Sequence, residues 1–211
     1  MKKLLILLFS VCIYAVECVS LEECVKNANY YQFDKSDEVN AALYYKVSCE
    51  EYEDYLSCKA LSDIYKYSEN LENKKLNKKY KNLAIKLVKQ FCKDDDNANA
   101  CYDFANYCEV KYTQCDDFEK LYERAFNLYE KQCDNNDYLS CYYLANMYFN
   151  GTGTNINEEK ALDLYKYACF NKDNKSCYEV AQHYENKSLE FLRKSCELGF
   201  KYACEKLDNI K

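Results

Sequence analysis

The stretch Cys141-Tyr-Tyr-Leu-Ala-Asn-Met-Tyr148, Asn150-Gly-Thr-Gly153, Glu158-Glu-Lys-Ala-Leu-Asp-Leu-Tyr-Lys-Tyr-Ala-Cys169 reads as helix, glycine turn and second helix, with Cys177 opening the next helix. Thirty-six residues separate Cys141 from Cys177, and the same number separate Cys133 from Cys169. Self-similarity at this period is the mark of a helical repeat array, in which each helix pair buries its apolar face on the next.

The same register extends through the chain. Cysteines open a helix at Cys24, Cys58, Cys101, Cys141 and Cys177, and Cys204 opens a stub. Four residues on lies a small side chain: Ala28, Ser62, Ala105, Ala145, Ala181. Seven residues on come Tyr31, Tyr65, Cys108, Tyr148 and Tyr184. Positions zero, four and seven share one helical face, so that face is read as buried. Helix-ending cysteines are Cys49, Cys92, Cys133, Cys169 and Cys196. Eight residues before them stand Ala41, Ala84, Ala125, Ala161 and Ser188, small enough for close helix packing. The repeats are placed near 24–49, 58–92, 101–133, 141–169 and 177–196, with a cap at 204–208. The fifth is cut short near Asn186.

Composition agrees with long helices: the 211 residues include no proline and three glycines. Fifteen cysteines, one histidine and no Cys-x-x-Cys argue against zinc fingers and thioredoxin-like redox sites, and for structural disulfides. Met1-Lys2-Lys3 followed by apolar Leu4–Ala15 reads as a signal peptide over 1–15, with 16–23 as a lead-in. A lipoprotein reading would place the lipid on Cys12, where Val11 is a poor neighbour. The apolar run is too short for a stable membrane span. A secreted or periplasmic location follows, and a monomer is expected. The net charge of −6 disfavours nucleic acid. No cofactor or metal is indicated.

Each helix-ending cysteine lies eight or nine residues before the next helix-starting one. A short corner between two helices brings such residues within disulfide reach. The expected bridges are Cys49–Cys58, Cys92–Cys101, Cys133–Cys141, Cys169–Cys177 and Cys196–Cys204, with Cys108–Cys115 around a turn and Cys18–Cys24 at the start. Each closes a short loop worth about 2–3 kcal/mol in the chain-entropy picture.

A row of polar residues falls five positions after the helix-starting cysteines: Asn29, Asp63, Asn106, Asn146 and Gln182. One position after them stand Tyr102, Tyr142 and Tyr178. Both positions lie beside the buried face, on the side that lines the concave groove in tetratricopeptide-like arrays. Amides there can pair with an extended peptide backbone, and tyrosines supply flat contact area. The bland alternative is an ordinary wet helix face.

These motifs resemble Sel-1-like repeats over about residues 21–208, best in Cys141–Cys169 with Leu-Ala-x-x-Tyr, Gly-x-Gly and Lys-Ala-x-x-Leu-Tyr. The regular cysteine pairs further resemble the Helicobacter cysteine-rich proteins. The resemblance implies a right-handed α/α superhelical solenoid with one disulfide per repeat. It also implies penicillin binding with weak β-lactamase activity, or secreted proteins that act on host cells. The residues do not supply that chemistry by any familiar motif. No serine has a lysine three residues on, and Ser-Asp-Asn, Lys-Thr-Gly and Gly-x-Ser-x-Gly are absent. His183 is the single histidine, and Glu158 and Glu159 suit a helix first turn. The three sequons at Asn150, Asn174 and Asn186 fall in expected loops of a bacterial-looking export protein, where glycosylation is not expected.

The reading is therefore an all-α, disulfide-stapled solenoid over 24–208. It would bind an extended peptide, a peptidoglycan-like fragment or a partner protein in its groove, with β-lactam hydrolysis as the alternative.

Overall fold

The computed structural model describes residues 18–67, 70–115, 117–183 and 188–209. The expected leader at 1–15, together with Cys12, Tyr184 and Asn186, lies outside them. Two compact units divide at Leu87 and Val88, inside one long helix. In the first, α1 (Leu21–Asn29) continues into a π-helical turn (Tyr30–Asp34), followed by α2 (Glu38–Glu51), α3 (Tyr55–Lys66) and the start of α4 (Leu71–Asp94). The second holds the end of α4, α5 (Ala98–Glu109), α6 (Phe118–Asp134), α7 (Tyr138–Asn150), α8 (Glu158–Phe170), α9 (Asn174–His183), α10 (Ser188–Glu197) and α11 (Lys201–Asp208). No strand occurs among the described residues. Each unit is a run of α/α pairs, the solenoid class expected from the repeats, and from α5 to α11 each helix packs on its sequence neighbour.

Small residues let the helices approach. Ala28, Ala105, Ala145 and Ala181 on the first helices, and Ala41, Ala84, Ala125 and Ala161 on the second helices, are buried. Rings fill the spaces beside them. Tyr31 stacks on Tyr44, Tyr65 stacks on Tyr80, and Tyr148 meets Phe126 edge-on. At the C-terminal end, Ala181, Leu192 and Ala203 form a cluster covered by Tyr178, Phe191, Phe200 and Leu207. The stub at 204–208 is therefore the end of a docked helix, α11.

The corners between repeats have one construction. A residue with positive φ stands directly before the residue that caps the next helix: Glu53, Asp96, Asn136, Lys172 and Gly199. At four of the five corners the cap is a side chain. Asp54, Asn97, Asp137 and Asp173 accept the backbone N–H three residues on, at 2.7–3.3 Å. That bond satisfies one of the unpaired donors at a helix start. The helix-starting cysteine then lies four residues after the cap in every case. The two cysteine spacings differ by one residue before the positive-φ position. In the shorter corners, Asp137, Asp173 and Phe200 donate their N–H to the carbonyls of Gln132, Ala168 and Ser195, the long bond of a Schellman turn. In the longer corners, Asp54 and Asn97 reach Ser48 and Phe91 instead.

This geometry places the cysteines together. Across the five corners the bridged pairs are Cys49–Cys58, Cys92–Cys101, Cys133–Cys141, Cys169–Cys177 and Cys196–Cys204, with Cα separations of 4.5–4.9 Å. Cys18–Cys24 and Cys108–Cys115 are also bridged, at 5.4 and 5.7 Å. Bridges of this kind persist in oxidising compartments. Among the described residues, no helix is long and apolar enough to cross a membrane.

Gly199 isolates the cost of the positive-φ position, because a Cβ there would meet no heavy atom within 4 Å. Gly199→Ala is expected to lower stability by about 1 kcal/mol through backbone strain alone, and Gly199→Asn by less, since asparagine tolerates the left-handed region. Urea unfolding of the oxidised chain measures both. Equal stability of the Gly199→Ala variant and the parent chain would show that this corner carries no strain.

Candidate functional site

The site is built on α5, α7 and α9, the first helices of the last three repeats. Their polar positions recur at one register, and two hollows open beside them in the unit Val88–Lys211.

The first hollow, of about 710 Å³, is lined by Tyr102, Asn106 and Glu109 of α5, by α6, and by the turn Gly151–Asn155. The turn reaches α6 only because residue 153 is glycine. A Cβ on Gly153 would lie 2.6 Å from the carbonyl carbon and oxygen of Tyr122. Tyr122 is buried, and its hydroxyl lies 2.6 Å from Asn106 Oδ1 and 2.7 Å from Glu109 Oε2. A phenol carries one proton, which the charged carboxylate takes. Turning the Asn106 amide then presents its N–H to the phenolic oxygen. In either orientation Tyr122 engages one end of that amide, and the other end faces the hollow. Burial, and then Glu109, push the Tyr122 hydroxyl well above its ordinary pKa, so it remains a donor. Tyr102 lines the same hollow with its ring edge-on to Tyr122, centroids 5.3 Å apart.

A second hollow of about 340 Å³ lies between α7, α8 and α9 and is lined by Asn146, Phe149, Leu162, Tyr165, Glu179, Gln182 and His183. Asn150 lines both hollows. Asn146 is a brace. Its Oδ1 accepts from Tyr165 Oη at 2.8 Å, and its Nδ2 donates to the Tyr142 carbonyl at 2.9 Å. Tyr165 is 6% exposed. Gln182 Oε1 accepts from Lys206 Nζ at 3.0 Å, which leaves its amide N–H groups for a ligand. Burial pushes the Glu179 carboxyl above the usual carboxylate range.

The remaining residues of the expected row fall elsewhere. In the unit Met1–Leu87, the buried Tyr45 hydroxyl lies 2.8 Å from Asn29 Oδ1 and 2.6 Å from Gln32 Oε1, so Asn29 also braces a helix pair. Asp63 lines a separate hollow of about 790 Å³ with Lys46, Tyr65 and Tyr67. The tyrosines are not one contact surface. Tyr142 packs on Tyr143 and Tyr165 under Lys175 Nζ, and Tyr178 packs on Phe200 and Tyr202. The reason is that a ring one position after the cysteine reaches its neighbours' rings before it reaches solvent. Within the amide row, Asn146 lines the second hollow while each end of its amide makes one bond inside its own repeat. Glu179 was missed, although it stands three residues before Gln182 on the same helical stripe. The fourteen described cysteines are all bridged, so none offers a thiol nucleophile. Among the described residues no cluster of histidine, cysteine and carboxylates could hold a metal.

Two outcomes follow from the brace and the carboxyl. Asn146→Ala leaves the Tyr165 hydroxyl buried without an acceptor and is expected to cost about 1–3 kcal/mol in urea unfolding, more than Tyr165→Phe, which removes the stranded group. Glu179 has a raised folded pKa, so the folded state holds its proton more tightly than the unfolded state. Its carboxylate therefore reduces stability above its ordinary pKa. Glu179→Gln is expected to raise the melting temperature at pH 7, with the gain disappearing below about pH 4. A gain unchanged at low pH would assign the effect to packing instead.

The Sel1 repeat family model matches residues 117–137, 139–169 and 185–200. No curated protein matches the sequence. Among solved structures, a Sel1 repeat protein from Oxalobacter formigenes is 15% identical, with 90% of this chain and 78% of that one covered and a TM-score of 0.48. A protective antigen present in uropathogenic Escherichia coli strains, displaying an SLR fold, is 20% identical, with 90% of this chain and 41% of that one covered and a TM-score of 0.44. The chain thus spans less than half of that antigen's length. From the cap of α6 through α8, and again around α10, this chain is similar to Sel1-repeat proteins.

Proposed function

We infer that this chain is an exported protein-binding repeat module, which receives an extended segment of a partner protein along the neighbouring hollows beside α5, α7 and α9. The observation that carries this reading is that the two hollows share Asn150 in their linings, which places them next to each other beside the first helices. Amide groups of Asn106 and Gln182 face them, and an amide offers both a donor and an acceptor to an extended backbone. The match to Sel1 repeats supports the reading, because repeats of this kind serve protein binding. Export is supported by the basic start, the apolar run Leu4–Ala15 and the seven disulfides. No observation favours the β-lactam hydrolase reading. It requires an activated nucleophile beside an oxyanion site.

Panning a random-peptide library on the immobilised, oxidised chain tests the module. Selected peptides are expected to bind the parent chain and to lose about ten-fold in affinity on an Asn106→Ala, Gln182→Ala variant of unchanged melting temperature. Peptides that bind both proteins equally would remove the hollows from the binding surface. A panning that enriches no peptide would remove the reading itself.

A further inference from the structure

The smaller hollow has the make-up of a side-chain pocket. Its walls include Phe149, Leu162 and the ring of Tyr165, and its one carboxylate is Glu179. Glu179 is half-buried, and no hydrogen bond or ion pair holds its carboxyl among the described residues. Asn146, Asn150, Gln182 and His183 complete the lining, and apolar patches beside a single half-buried carboxylate suit a group that combines a hydrocarbon stem with a positive end. Neither hollow is lined by a lysine or an arginine. The neighbouring hollow adds Glu109, Glu119 and Glu123. The lysines close by are engaged: Lys120 pairs with Asp117 at 3.1 Å, and Lys206 holds the Gln182 oxygen at the rim.

We propose that the hollow between α7, α8 and α9 is a specificity pocket for one lysine or arginine side chain of the partner segment. The stem lies against Phe149, Leu162 and Tyr165, and the cationic head meets Glu179. A volume of about 340 Å³ admits one such side chain, and the hollow is too small for a folded element. A charge-assisted bond in a half-desolvated site is stronger than the same bond on an open surface. The glutamates of the adjoining hollow favour further positive charge along the same segment and repel acidic competitors. The pocket thus gives the bound segment both a direction and a register. The proposal rests on the binding reading above and names the chemistry of the segment's anchor.

The test is an amide-resolved NMR titration of the oxidised full chain with N-acetyl-arginine amide, and with N-acetyl-citrulline amide as its neutral counterpart. Arginine amide is expected to give saturable shifts centred on Phe149, Glu179 and Gln182, with citrulline amide at least about five-fold weaker. Glu179→Gln should abolish the difference between the two probes. Glu130→Gln, an exposed change on α6 outside both hollows, should leave it intact. Equal binding of the two probes overturns the proposal. So does an equal loss on Glu130→Gln, which would mean general attraction to an acidic chain. If panned peptides bind the hollows yet carry no basic residue and ignore Glu179→Gln, this inference fails and the module stands. If no peptide binds but arginine amide still titrates into the pocket, the module fails and the pocket stands.

Discussion

Everything in this fold depends on the corner between repeats. At four of the five corners the chain leaves one helix through a residue in the left-handed region, caps the next helix with an aspartate or asparagine, and is bridged by cysteines on either side. The three features reinforce one another. The left-handed residue turns the backbone sharply, the cap satisfies a donor the turn exposes, and the bridge holds both helix ends at a Cα separation of 4.5–4.9 Å. A thin repeat array has no deep core to hold its helices in register, so local closure of each corner substitutes for long-range packing. Non-glycine residues such as Glu53, Asp96 and Lys172 are kept in a costly conformation because cap and bridge over-determine it.

Within three of the repeats, a second interaction decides which polar groups are engaged. A buried tyrosine from the second helix points its hydroxyl at an amide on the first: Tyr45 at Asn29, Tyr122 at Asn106, Tyr165 at Asn146. A phenol buried at such a helix–helix seam must find a partner, and the amide five residues after the cysteine lies within its reach. The amides therefore serve the fold first. Asn106 and Gln182 keep one end of the amide without a bond among the described residues.

The hollows themselves come from turns and side chains particular to single repeats. The Gly-x-Gly turn lets residues 151–155 lie against α6, where any side chain at 153 would strike the Tyr122 carbonyl. That contact walls off the first hollow. The second is open where Phe149 and Leu162 leave space beside α9, and there Glu179 sits half-desolvated, with no partner among the described residues. Such an arrangement costs stability.

Local period and side-chain size were enough to set the all-α class, the helix pairs, the small residues at their crossings and the cysteine spacing, because each rests on which neighbours along the chain share a face and which side chains fit a close helix contact. A run such as Asp137-Tyr-Leu-Ser-Cys141 even carries its cap in plain view. The remainder took shape only when the helices packed. Which amide is taken by a tyrosine depends on a ring some sixteen to nineteen residues away, as for Asn106 with Tyr122 and Asn146 with Tyr165. Periodicity along one helix cannot report that pairing. The one-residue difference between the corners of Cys92–Cys101 and Cys133–Cys141 was visible as a number, but only the backbone shows that it lengthens the approach to the left-handed residue. Glu179 looked like any solvated glutamate on α9. Its environment is made by α7 and α8, and desolvation is a property of the space three helices enclose.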